Sequence, residues 1–229
     1  MTEILPNKLT KETQLDFSID QSGFYAVAIT ARCNKNNDLK IELDGQQFRE
    51  IPAEKITQTY NIPPAWNGSE LRGSSQTNTF LLSLGRGKHS VTFIPNGQAE
   101  VKSWNYHLID DLTQAKFVLD QKAEDGDKRP WFTFILVNSP LMSLTAEADV
   151  SWHLFDGDDI KLIVDNGIEK NQNSRFWKNW IWHATPSQIL SGSKRERKTV
   201  TKNLPSGYHF IEFWADKTPT LHQVILDLG

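Results

Sequence analysis

Along most of the chain, apolar residues alternate with polar ones at every second position, the period of a strand with one buried face. Leu15, Phe17 and Ile19 follow this pattern, then Tyr25, Val27 and Ile29, then Leu39, Ile41 and Leu43, and later Val91 and Phe93. Past the midpoint Phe132, Phe134 and Leu136 repeat it, as do Ile160, Leu162 and Val164. Turn dipeptides punctuate the runs: Ser22-Gly23, Asp44-Gly45, Asn96-Gly97, Asp125-Gly126, Asp156-Gly157 and Ser206-Gly207,. Short strands at intervals of about ten residues predict an all-β sandwich or jelly roll. Helical patterning is confined to Ala53–Gln58 and Pro186–Leu190, each enough for one short turn of helix.

The pattern occurs twice. Residues 37–44, Asn-Asp-Leu-Lys-Ile-Glu-Leu-Asp, match 158–165, Asp-Asp-Ile-Lys-Leu-Ile-Val-Asp, at an offset of 121. Leu71-Arg72-Gly73 matches Leu190-Ser191-Gly192 at 119, and residues 84–93 match 204–213 at 120. Collinear matches at nearly constant offset predict two tandem β-sandwich (jelly-roll) units, residues 1–110 and 111–229,. The join near Asp110–Gln114 carries no Gly, Ser or Pro, so the two units are expected to pack together.

Gly23-Phe24-Tyr25, the strand Leu39–Leu43 ending in Asp44-Gly45, and Leu84-x-x-Gly87-x-His89-x-Val91-x-Phe93 resemble the jelly-roll carbohydrate-binding modules of the galactose-binding-like superfamily. The resemblance covers most of both halves and encodes the sandwich more than it encodes sugar binding. It implies a non-catalytic module that binds an oligo- or polysaccharide, as an appendage of a larger enzyme or surface protein with a neighbouring catalytic domain. Such modules often hold a structural calcium through an N-terminal acidic strand, which is not evident here. No other cofactor is expected.

Composition narrows the classes. Of 229 residues, 38% are hydrophobic and 23% charged, a balance that supports a packed core,. Lys+Arg 25 against Asp+Glu 28 gives −3, without the basic excess of a nucleic-acid binder,. No apolar run reaches the ~18 residues that a membrane helix needs. Met1–Pro6 has neither a basic start nor an apolar stretch, so it does not read as a secretory signal, and the compartment stays open,.

No catalytic motif is present. Cys33, the single cysteine, follows an apolar strand and reads as a small buried hydrophobe,. His89 and His209 hold the same place after a turn glycine, which suggests a shared structural task such as bonding a turn carbonyl. The other histidines show no metal-ligand spacing. Asp156-Gly157-Asp158-Asp159 reads as a solvated hairpin turn, with calcium as the alternative,. Lys194, Arg195, Arg197, Lys198 and Lys202 read as an edge-protecting charged strand, with a patch for an anionic polymer as the alternative,.

Tryptophan is the compositional signal, with eight in the chain. Arg175 to His183 packs Phe176, Trp177, Trp180 and Trp182 among polar groups. As a strand, Phe176, Trp180 and Trp182 share one face and Trp177 the other. As a short helix capped by Ser174, Phe176, Trp177, Trp180 and Ile181 form one stripe. Sugar rings stack on indole, and flanking polar groups bond hydroxyls. The candidate ligand-binding residues are therefore Trp177, Trp180 and Trp182, with Arg175, Lys178, Asn179 and His183, and Trp66 in the matching part of the first half. The alternative is a structural or protein-interaction module whose tryptophans bury an inter-domain interface. An enzyme with residues assembled between the halves is a third reading.

Overall fold

The computed structural model describes residues 8–47 and 66–229. The chain is an all-β sandwich protein whose described helices are two single turns, α1 (Gly68–Leu71) and α2 (Gln188–Ser191). The helical turn expected near residue 188 is present; the one expected at Ala53–Gln58 lies outside the described residues. The chain divides into two compact units, Met1–Ile109 with Phe132–Val137, and Asp110–Trp131 with Asn138–Gly229.

In the first unit, one sheet runs β1 (Thr13–Ile19), β7 (Gly87–Asn96), β3 (Asp38–Leu43) and β4 (Gln46–Gln47), with β5 (Trp66–Asn67) also on β3. The other holds β8 (Ala99–Leu108), β2 (Gly23–Cys33) and β6 (Ser75–Leu84). Alternation does what it predicts. Leu15, Phe17 and Ile19 are buried, as are Leu39, Ile41 and Leu43, and Tyr25, Val27, Ile29, Ala31 and Cys33. A bulge opposite Thr30/Ala31 skips Lys102, so that Val101 and Trp104, three apart, both turn inward,. Phe132 to Leu136 pair in parallel with Thr77 to Leu81 of β6, and Gln76 Nε2 donates to Thr133 Oγ1 at 2.9 Å.

The second unit contains β11 (Asp159–Val164) paired with β12 (Gly167–Ile168), β13 (Trp182–His183) and the C-terminal part of β14 (Lys194–Asp216). It also contains Ser143–Asp149 of β10 (Arg129–Val150) on β15 (Thr220–Asp227), which pairs on with β9 (Gln114–Lys122). Ile160, Leu162 and Val164 face Ala215, Phe213 and Ile211 in register and are buried. Their alternates are buried too: Asp159 opposite Asp216, Lys161 opposite Trp214, Ile163 opposite Glu212. The polar positions of β11, which the alternation assigns to solvent, are therefore inside.

Each unit closes a two-residue hairpin with the same clasp. Asp44-Gly45 joins β3 to β4, and Asp165-Asn166 joins β11 to β12; all four residues have positive φ, the signature of a type I′ turn,. Asp44 Oδ1 accepts from Ser90 N at 2.8 Å, its Oδ2 meets His89 Nδ1 at 2.6 Å, and His89 Nε2 reaches Gly85 O at 2.7 Å. In the second unit, Asp165 Oδ1 accepts from Phe210 N at 2.8 Å, Oδ2 meets His209 Nδ1 at 2.8 Å, and His209 Nε2 reaches Pro205 O at 2.7 Å. Each histidine bonds the carbonyl four residues before it, Gly85 O in the turn ahead of β7 and Pro205 O within β14. Both nitrogens of His89 face oxygen acceptors. Burial works to lower its pKa, but the hydrogen bonds to Asp44 and Gly85 O and the carboxylate charge outweigh it and raise the value above 6.5,.

Replacing His209 by Ala should lower stability by about 1–3 kcal/mol in urea titrations, the range for buried hydrogen bonds to charged groups. Because the His89 pKa is raised, its contribution is fully present below pH 6.5 and lost as pH rises through the folded-state value,. The stability difference between wild type and His89→Gln should therefore shrink from pH 5.5 to pH 8.5. A difference that grows over that range contradicts the clasp as described.

Candidate functional site

The aromatic segment is neither strand nor helix. Residues 171–181 form successive turns, and only Trp182–His183 join the sheet as β13, with Ile160 opposite Trp182 and Asp159 opposite His183. Trp182 is fully buried, its ring 6.2 Å from Phe213, and its Nε1 donates to Glu196 O at 3.0 Å. Trp66 is fully buried in the first unit, and its Nε1 donates to Gln76 O at 2.9 Å. Neither indole has a face or an N–H to offer, so both leave the set of stacking platforms and belong to the core.

The loop before Trp182 is organised by Asn171, a buried side chain. Its backbone N–H donates to Lys178 O at 2.8 Å, and its Nδ2 donates to Trp180 O at 3.0 Å and lies 3.2 Å from His183 Nδ1. Its Oδ1 accepts from Asn173 N at 3.1 Å. Ser174 Oγ then accepts from Trp177 N at 3.0 Å, which ties the next turn. Lys198 Nζ donates to Ile181 O, and Ile181 N to Ile160 O at 3.0 Å, fixing the loop to two strands. Sequence reasoning missed Asn171 because an asparagine in a polar stretch reads as an ordinary turn residue.

What this frame displays is a half-exposed Trp177 and Trp180 and a Phe176 that is 87% exposed. Trp177 stacks on His183, with centroids 5.0 Å apart and planes at 11°, and meets Phe176 edge-on at 6.3 Å. Lys161 Nζ lies 4.9 Å from the Trp180 centroid and 5.6 Å from that of Trp214, so its charge sits between two indoles,. Arg175, Lys178 and Asn179 are exposed, and Asn179 Oδ1 accepts from Lys170 Nζ at 2.6 Å. The pKa of His183 is held below 6.5 by burial and then by Lys198 and Lys194, with Glu196 opposing. A neutral ring accepts the Asn171 N–H at Nδ1 and keeps a donor at Nε2. Six of the eight candidates thus share one loop and β13, while Trp66 and Trp182 are structural.

The acidic stretch is not a plain solvated turn. Asp158 is buried and fully engaged, accepting from Ser151 N, His153 Nε2 and Thr218 N, each at 2.9 Å. Asp159 and Asp216 lie opposite one another and are each under a tenth exposed. Burial first, and then the Asp216 charge, push the Asp159 carboxyl up to about 7; the Ala184 N–H opposes this, and Asp156 and Asp158 add to it,. Among the described residues, no three His, Cys, Asp or Glu side chains are placed to hold a metal. Cys33 is buried, and burial followed by Asp38 pushes its thiol up to about 12, far from a nucleophile's range,. A small polar hollow of about 110 Å³ in the first unit is lined by Lys8, Arg32, Asn34, Gln98, Ala99 and Glu100, without an aromatic wall.

No protein-family model matches the chain, and no curated protein matches it. Among solved structures, the ANXUR2 extracellular domain from Arabidopsis thaliana aligns at 6% identity and TM-score 0.27 over 97% of this chain and 82% of that one. The isomalto-dextranase of Arthrobacter globiformis T6, complexed with panose, aligns at 9% and TM-score 0.28 over 96% of this chain. The cycloalternan-forming enzyme from Listeria monocytogenes, in complex with a pentasaccharide substrate, aligns at 9% and TM-score 0.26 over 95% of this chain. The chain spans 33% and 19% of those two enzymes. Likenesses this distant transfer nothing to this chain.

Two outcomes follow from the site geometry. Asn171→Ala removes three side-chain hydrogen bonds and should lower stability by about 1–3 kcal/mol, while increasing amide exchange at residues 173–181. Unchanged exchange there would show that the loop is held by other means. For the acidic pair, the folded chain keeps the Asp159 proton to about pH 7 whereas the unfolded chain loses it near 3.8, so stability falls as pH rises between those values,. Asp159→Asn should therefore gain stability relative to wild type as pH increases from 4 to 8, by up to about 4 kcal/mol. A gain that is flat or shrinks with pH contradicts the buried pair.

Proposed function

We propose that the protein is a non-catalytic carbohydrate-binding module built from two β-sandwich units of one architecture, with its saccharide site on the loop 171–181 of the second unit. The observation that supports the site is that Phe176, Trp177 and Trp180 stand exposed or half-exposed on a loop fixed by Asn171, although a solvated loop has no packing reason to carry three aromatics,. A pyranose would stack on Trp177 beside Phe176. Hydroxyls would meet the His183 Nε2–H, Asn179 and the Lys178 and Arg175 head groups. The matching turn clasps, and the matching pairings of β3 and β11 with a short tryptophan strand, support the common architecture.

A second reading, a protein-interaction module, is favoured by one observation: Leu154, Phe155, Ile189 and Leu190 are exposed by 86, 94, 62 and 95%. Leu154 and Phe155 lie between β10 and β11 and Ile189 and Leu190 on α2, and the two segments are tied by Ala184 N donating to Asp158 O at 3.0 Å and by Gln188 Nε2 donating to Val150 O at 2.9 Å.

Titration of the full chain with a panel of soluble glycans, read by tryptophan fluorescence, separates the readings. A binding glycan should be lost on Trp177→Ala with little change in melting temperature. Trp182→Ala should instead cost about 3–5 kcal/mol of stability, the range for a buried large-to-small change. If no glycan perturbs the fluorescence, or Trp177→Ala binds like wild type, the saccharide reading fails.

A further inference from the structure

The saccharide reading leaves the class of sugar open, and the charges around the loop bear on it. Two features stand apart in the sequence, the aromatic segment 169–183 and the basic run 194–202, and the fold joins them. Trp182 Nε1 donates to Glu196 O at 3.0 Å, Lys198 Nζ donates to Ile181 O, and Lys202 Nζ pairs with Glu169 Oε1 at 2.6 Å. Across the two segments stand eight Lys or Arg and two Asp or Glu, in a chain whose overall balance is −3. Both acids are already engaged: Glu169 with Lys202, and Glu196 with Lys194 at 2.5 Å and Lys198 at 3.1 Å.

The cations of the loop itself stand without a counter-charge among the described residues. Arg175 and Lys178, within three residues of Trp177 in sequence, form no ion pair among the described residues, and Lys170 is bonded to the neutral Asn179 Oδ1 at 2.6 Å. Lys161, buried on β11, lies between the Trp180 and Trp214 rings. The pKa of His183, the ring stacked on Trp177, is lowered first by burial and then by Lys198 and Lys194 against the opposing charge of Glu196. On β14, by contrast, Arg195 is paired with Asp149 at 2.9 Å. A stacking surface of this kind has an unmet preference for negative charge.

We infer that the ligand of this site is an acidic saccharide, one whose rings carry carboxylate or sulfate groups, held by stacking on Trp177 and Phe176 and by ion pairs to Arg175, Lys178 and Lys170. This rests on the saccharide reading and adds to it the chemical class. Arg175 suits either oxyanion, since its planar fork can bond two oxygens at once, and the lysines act as point charges.

Charge-matched pairs test it: polygalacturonate against its methyl ester for the carboxylate, and dextran sulfate against dextran for the sulfate, each titrated into the full chain. At least one acidic member should bind, and its neutral counterpart should bind roughly tenfold more weakly or not at all. Raising NaCl from 50 to 500 mM should weaken the acidic complex by about tenfold, since exposed charges are screened over a few ångströms at high salt. Arg175→Ala with Lys178→Ala should weaken the acidic ligand and leave the melting temperature unchanged, because both side chains are exposed. Trp177→Ala should abolish binding at either salt. If a neutral member binds as tightly as its acidic partner and salt has no effect, the acidic class is wrong and the saccharide reading stands. If poly-glutamate competes fully and Trp177→Ala binds normally, the surface attracts any polyanion and both readings fail.

Discussion

The arrangement rests on a buried tryptophan whose indole N–H bonds a strand carbonyl. An indole is large enough to fill the space under a sheet edge, but its N–H demands a partner once water is gone. Trp182 meets both demands: no exposed surface, Phe213 alongside, and Glu196 O as acceptor. Trp66 does the same with Gln76 O. Fixing Trp182 fixes where the chain rejoins β11, and Glu169 N donating to Leu162 O at 2.9 Å fixes where it leaves. The residues between have no strand to join and must close on themselves. Asn171 supplies the closure, which is why Trp177, Phe176 and Trp180 stay outside while a tryptophan two residues on is wholly inside.

The second constraint is charge burial. In the first unit the polar side of β3 faces out: Lys40 is exposed, and Asp38 and Glu42 are half-buried. In the second unit the corresponding face of β11 is inside, and its polar residues must be neutralised or satisfied locally. Lys161 is placed between two indole faces, and Glu212 Oε2 accepts the Trp214 Nε1 at 2.9 Å. Asp159 takes the remaining route for a buried acid beside a like charge, retention of its proton to about pH 7,. Closely similar strand sequences thus carry different electrostatics because one has water on a face and the other does not.

This difference also marks what could be read from the sequence. Strand positions were legible because period-two alternation is a local property, and so were the Asp-Gly turn and the shared structural task of the two histidines. Burial of the second face of β11 was not legible, because Asp159 and Lys161 alternate with Ile160 and Leu162 as they would on any half-exposed strand. The aromatic loop was half legible. Density of tryptophan located it, but neither a strand nor a helix period could describe a segment whose shape is set by one asparagine and a distant lysine. Which indole is core and which is display depends on Glu196 O, an acceptor that sequence spacing does not reveal. Phe176 was passed over as a site residue for the same reason, though it is more exposed than any of the aromatics beside it.

The juxtaposition of β14 and the loop gives the site its chemical character. β14 lies between β11 and β10 in its sheet, so Lys194, Arg195 and Arg197 on its exposed positions solvate a face and the edge-protecting role expected of the basic run does not describe this strand. Solubility alone is met by either sign of charge. Arg175 and Lys178 lie on no strand at all. Nor does packing account for Phe176, which buries almost nothing. Aromatic surface without packing and positive charge without counter-charge occur here in the same few residues, next to a ring whose pKa is lowered first by its burial. Each is a small unfavourable departure from what a soluble loop would be, and a single ligand with an apolar ring face and an acidic group resolves them together.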